Sequence, residues 1–173
     1  IRGLVINRCG ASQIEVFGAT TTMIVGNFLG TTADGTATAG ARGGGIGVDA
    51  GVTFIAGGTT AADRNVISGN GGAGISAGVN LNNGINGTIQ GNLIGTDKTG
   101  TVAVPNLNGI GAGAAGNASI PLVIGGATPG AGNVISGNQF FGITLGPFTA
   151  NSVIQGNMIG ADPSGMIAVG NGG

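Results

Sequence analysis

The residues able to do chemistry are few. The acids are Asp34, Asp49, Asp63, Asp97, Asp162 and Glu15, the cations Arg2, Arg8, Arg42, Arg64 and Lys98, and there is one cysteine, Cys9, and no histidine. General acid–base work needs two titratable groups held within reach of one bond. No two of these acids are adjacent in sequence. Asp97 in TDKTG and Asp162 in ADPSG occupy the same place in two copies of one phrase. Their first reading is that of turn residues whose carboxylates bond their own backbone. The alternative is a weak Ca²⁺ contact through loop carbonyls. The two cannot share an ion, because two coils of about 4.8 Å separate them and Ca²⁺ takes oxygens at about 2.3–2.6 Å. Lys98 reads as a solvated loop lysine, and Arg8 and Arg64 as exposed strand-flank residues. Cys9 reads as a small buried residue with nothing beside it to activate a thiol.

The elements that would position these groups come from repetition. Residues 24–40, 89–106 and 154–171 are three copies of one phrase, starting 65 residues apart, and NVISGN stands at 65–70 and 133–138. A long fixed period means a repeat architecture. With 41 glycines and 6% charged residues, against about 25% in an ordinary domain, the chain is neither a helical bundle nor a disordered segment. A net charge of −1 with scattered cations gives no pull toward nucleic acid, and no apolar run approaches about 18 residues, so no membrane insertion is expected.

Short β-branched runs read as strands at 4–7, 23–26, 65–68, 88–91, 133–136 and 152–155, with two strands and a bend per repeat. Ile6, Ile24, Ile67, Ile89, Ile135 and Ile154 are expected in one inward column, and Leu29, Ile75, Ile94, Ile143 and Ile159 in another after the bend. Asn27, Asn70, Asn92, Asn138 and Asn157 each close an Ile-x-Gly-Asn-like phrase, in steps of 43, 22, 46 and 19 residues. The short steps read as one coil, and the long ones as one coil with loops or as two coils. Asn accepts left-handed backbone and can bond its counterpart in the next coil, so these five are expected to form one structural ladder. Cys9 stands where the first coil should carry that Asn.

IxGNxIGTDxxGTxA and NVISGN followed by GI resemble the right-handed parallel β-helix repeats of large bacterial secreted and cell-surface proteins. The resemblance implies an all-β fold, a right-handed parallel β-helix (β-solenoid) of five to seven coils without helices of note. Both ends, INR and GNGG, stop mid-pattern without a polar or charged cap, so residues 1–173 are expected to be a single segment of a longer repeat protein or of an end-to-end assembly. The resemblance also implies an extracellular or bacterial cell-surface location. The function expected is that of a non-catalytic structural or adhesive module, such as a stalk, spacer or fibre component, whose partners are glycans or copies of itself. The alternatives are a carbohydrate-active or glycan-binding β-helix and a self-assembling filament subunit. Enzymes of this fold resemble polygalacturonases, with clustered aspartates and a histidine, or pectate lyases, with Ca²⁺ on several carboxylates. The acids here supply neither set, so no catalytic residue, cofactor or metal ligand is assigned.

Overall fold

A computed structural model of the chain describes residues 1–18, 21–48, 53–71, 77–82, 86–113, 121–147 and 149–172. Asp49 and Ile75 lie outside the described residues. Among those described there are sixteen strands and no helix. In chain order they are β1 (Val5–Ile6), β2 (Ile14–Val16), β3 (Thr21–Ile24), β4 (Phe28–Leu29), β5 (Ile46–Val48), β6 (Thr53–Gly57), β7 (Val66–Ile67) and β8 (Ala77–Asn82). There follow β9 (Asn86–Gln90), β10 (Leu93–Ile94), β11 (Asn108–Gly113), β12 (Leu122–Gly125), β13 (Val134–Ile135), β14 (Ile143–Leu145), β15 (Val153–Gln155) and β16 (Met158–Ile159).

Every third strand joins the same sheet, and all the pairings between strands are parallel. Sheet 1 is β1-β4-β7-β10-β13-β16, sheet 2 is β14-β11-β8-β5-β2, and sheet 3 is β15-β12-β9-β6-β3. The chain is therefore a parallel β-solenoid, with three strands per turn rather than two. The strands of sheet 2 (IEV, IGV, ITL and the glycine-rich NGIGAG) carry the weakest hydrophobic signal, and they are the ones the sequence reading passes over. Across the five-stranded sheets the winding makes about four turns, fewer than the five to seven expected. The expectation overcounts because the Gly-Asn phrase occurs on both sides of the two-residue strands of sheet 1.

One apolar core fills the interior. Ile6, Leu29, Ile67, Ile94, Ile135 and Ile159 stack in register on sheet 1. Ile24, Ala56, Ile89, Ile124 and Ile154 stack on sheet 3. The two expected isoleucine columns therefore redistribute: Ile6, Ile67 and Ile135 belong with Leu29, Ile94 and Ile159, while Ile24, Ile89 and Ile154 form a column of their own with Ala56 and Ile124. Ile143 sits in sheet 2, against Ile110. The side chains of Leu29, Ile67, Ile94, Ile24, Ile89 and Ile124 are fully shielded from solvent. Each such burial contributes roughly 1.5–3 kcal/mol, which lets a core without tryptophan or tyrosine hold the fold.

Candidate functional site

The densest polar chemistry flanks sheet 1, at its two corners. Asparagines stand at both, and they form two ladders rather than one. At the corner leading from sheet 3 into sheet 1, Asn27 Nδ2 donates to Asn65 Oδ1 (3.0 Å), Asn65 to Asn92 (2.8 Å), Asn92 to Asn133 (3.0 Å) and Asn133 to Asn157 (2.8 Å). Each receiving oxygen also accepts the backbone N–H of the asparagine before it, at 3.0–3.2 Å. The second hydrogen of Asn65, Asn92, Asn133 and Asn157 goes to a carbonyl of the preceding turn. At the corner leading into sheet 2, Asn70 donates to Asn106 (3.0 Å), Asn106 to Asn138 (3.0 Å) and Asn138 to Asn171 (2.9 Å). A bend cannot satisfy its inward backbone groups by sheet pairing, and a buried unpaired amide costs about 1–3 kcal/mol. The primary amide, with donor and acceptor on one short side chain, answers both needs.

Of the five asparagines singled out from the sequence, Asn27, Asn92 and Asn157 belong to the first ladder, and Asn70 and Asn138 to the second. Asn65, Asn133, Asn106 and Asn171 were missed. The signal was present, since NVISGN carries an asparagine on each side of its two-residue strand. The steps of 43 and 46 residues therefore run from one corner to the other, and the steps of 22 and 19 return; neither is a whole number of turns. Cys9 does occupy the first-turn position of the second ladder, but it is half-buried rather than buried, with Sγ 3.9 Å from the Asn7 carbonyl oxygen.

Long and short corners alternate. Hairpin excursions closed by the bridges Thr31–Thr38, Thr96–Ala103 and Ala161–Ala168 leave the corner into sheet 2 on every second turn. On the turns between, the same corner is the short Ser-Gly-Asn of 68–70 and 136–138. The other corner carries loops at 58–64 and 126–132 on those intervening turns. A loop is thicker than one turn, and the alternation gives each the height of two. The Lys98 N–H donates to the Gly35 carbonyl (2.9 Å), so one excursion rests on the next. Gly35, at φ +70°, lets its loop lie on the Phe28 ring, where a Cβ would come within 3.0 Å of Cε2. The loops roof the outward residues of sheet 1, so that Val66, Leu93 and Val134 form a second buried apolar cluster with Phe28 against it.

The two loop aspartates take part in this construction. Asp97 accepts the Thr99 hydroxyl at 2.8 Å and the Thr101 and Val102 amides at 3.1 Å. Asp162 accepts the Ser164 hydroxyl and the Met166 and Ile167 amides at 2.8–3.1 Å. Both are nearly shielded from solvent. Burial raises the Asp97 pKa, but Thr99, Val102 and Thr101 outweigh it and hold the carboxyl below its ordinary value. Asp162 is lowered too, chiefly by the Ile167 amide and the Ser164 hydroxyl. In the remaining excursion Thr32 stands in this place, and Asp34 takes the role from two residues on, accepting Thr32 and Thr36. Asp34 is lowered by those same two hydroxyls.

These carboxylates face hydrogen-bond donors, whereas a hard cation needs a shell of oxygens. Asp97 and Asp162 stand on successive excursions, two turns apart, and the structure does not bring them together. Among the described residues no three metal-ligating side chains meet. The other charged residues are also dispersed: Arg2 pairs with Asp63 at 3.6 Å, and Arg64 Nε and Arg8 Nε donate to the carbonyls of Gly91 and Ala39. Comparison with protein-family models, curated proteins and solved structures finds no match to this chain.

Proposed function

We propose that this chain is a right-handed segment of a secreted or bacterial cell-surface repeat protein, working as a non-catalytic structural or adhesive rod. The observation that carries the reading is the double asparagine ladder. Its amides and the loop carboxylates are engaged within the scaffold, where they stiffen corners and loops. Such a scaffold suits a spacer or stalk, whose work is to hold distance. The right hand follows from strand twist, which favours right-handed crossovers between parallel strands. Adhesion, where it occurs, would use the excursion crest, on which Val102, Met166 and Ile167 are exposed, together with surface Thr and Asn groups that suit glycan hydroxyls.

The test is retention of the chain on insoluble and acidic polysaccharides, with released sugar read in the same tubes. Retention without release, or neither, agrees with the reading. Sustained release that Asp97→Ala abolishes would sink it in favour of a carbohydrate-active β-helix.

A further inference from the structure

Among the described residues, five buried side-chain atoms have no hydrogen-bond partner: Gln13 Nε2 and Oε1, Asn70 Oδ1, Thr31 Oγ1 and Thr96 Oγ1. Three of these belong to one place, the point where the second ladder stops. Ala41 lies in the turn before Asn70 and bridges to it, in the position that Asn106 and Asn171 hold in later excursions. Ala41 has no side-chain amide to offer, and Asn70 Oδ1 receives none of the donors that the other rungs supply.

Gln13 is the counterpart of this gap. It precedes β2 in register with Gly45 and Gly142, which precede β5 and β14, and with Gly78 and Gly109, the second residues of β8 and β11. Those glycines are sterically required. A Cβ on Gly45 would lie 2.3 Å from Ile67 Cγ2 and 3.1 Å from Asn70 Nδ2. On Gly78 it would lie 2.9 Å from Ile94 Cγ2 and 2.8 Å from Asn106 Nδ2, and Gly109 and Gly142 meet the same pair of groups in their next turns. At all four the β-branch of an isoleucine and the amide of a ladder asparagine obstruct a Cβ, and at Gly45, Gly78 and Gly109 the carbonyl of the next turn's glycine does so as well. In the turn facing Gln13 the corresponding residues are Leu29, which has no β-branch, and Ala41, which has no amide. Glycine, isoleucine and asparagine are thus replaced together, where the long polar side chain of Gln13 enters the wall.

We propose that Gln13, Leu29 and Ala41 are a co-adapted set that builds an internal site for one water molecule. The Gln13 amide enters the rung below Asn70, and the water completes it. The chemistry balances: the water donates to Asn70 Oδ1 and Gln13 Oε1 and accepts from Gln13 Nε2, within the two to four polar partners that a buried water takes. Gln13 is 7% exposed and Asn70 fully buried, so bulk solvent does not serve these atoms.

Two measurements test it. The urea midpoints of Gln13→Gly, Ala41→Asn and the double variant should show sign reversal. Gln13→Gly removes the amide that would hold the water against Asn70, Ala41→Asn collides with Gln13, and the pair together rebuilds an ordinary rung. Each single change is expected to lower the midpoint and the double variant to return it to the wild-type value or above. A double variant less stable than either single variant overturns the proposal. A high-resolution crystal structure of the unaltered chain decides independently of how the variants fold. One water shared by Gln13 and Asn70 is expected. Gln13 turned to solvent, or bonded to Asn70 with no water, overturns the proposal.

Discussion

The two asparagine ladders flank one sheet and use one side chain, yet they differ. The ladder from Asn27 to Asn157 runs unbroken through five asparagines, the oxygens of Asn65, Asn92, Asn133 and Asn157 each taking a side-chain and a backbone donor. The ladder from Asn70 to Asn171 ends at Ala41, and Cys9 stands one turn further on. The difference lies in what the opposite wall requires. The unbroken ladder follows the corner out of sheet 3. The interrupted one faces the first residues of sheet 2, where either a glycine and an asparagine or a glutamine and an alanine can share the space. A stacked polar column is therefore a set of local two-residue bargains between neighbouring turns, and it can change at one rung while the fold continues.

The largest expected effect comes from cutting the unbroken ladder at its middle. Asn92→Ala removes the acceptor of the Asn65 side chain and backbone N–H and the donor to Asn133, inside a shielded corner. It should cost about 3–5 kcal/mol, read as a fall in the urea midpoint. Asn70→Ala should cost less, about 1–3 kcal/mol, since its oxygen already lacks the donors that the other rungs receive. Equal losses from the two would show that the ladders are energetically the same and end the comparison. Gly35→Ala would place a Cβ beside Phe28 and Lys98 at positive φ and lift one excursion off the next, for about 1–2 kcal/mol. Proteolysis within residues 95–105 should quicken in that variant while the ladders keep their hydrogen-exchange protection. Unchanged cleavage would mean that the excursions do not support one another.

The smallest effect is on pH. Asp34, Asp97 and Asp162 are lowered from the ordinary value of 3.8, so the folded state favours their charged form. Their contribution is complete above that value and is lost as pH falls through the lower folded values. The midpoint should therefore hold from neutrality to about pH 4 and then drop, and Asp97→Asn should make that drop shallower. An identical acid profile in Asp97→Asn would remove the loop carboxylates from the account.

Much of this was legible in the sequence. The 65-residue phrase announces a repeat, glycine and β-branched residues announce strands and bends, and recurrent Asn announces a ladder. What one dimension conceals is which side of a two-residue strand an asparagine stands on. VISGN and IxGN look like one phrase, yet Asn70 and Asn92 follow and precede equivalent strands, and only winding the chain separates them. The need for Gly87 is likewise set by the winding, since a Cβ there would lie 2.0 Å from the Phe54 ring of the preceding turn.

By itself the sequence determined the period, the strand-and-bend character and the aliphatic interior, because these follow from residue types repeated at fixed spacing. Tertiary structure decided the three sheets, the division of the asparagines between two corners, the alternation of long loops and the exchange of rung at Gln13. Each of these depends on contact between residues a full turn apart, typically more than twenty positions along the chain, where local propensity carries no information and only the stacking of one coil on the next does.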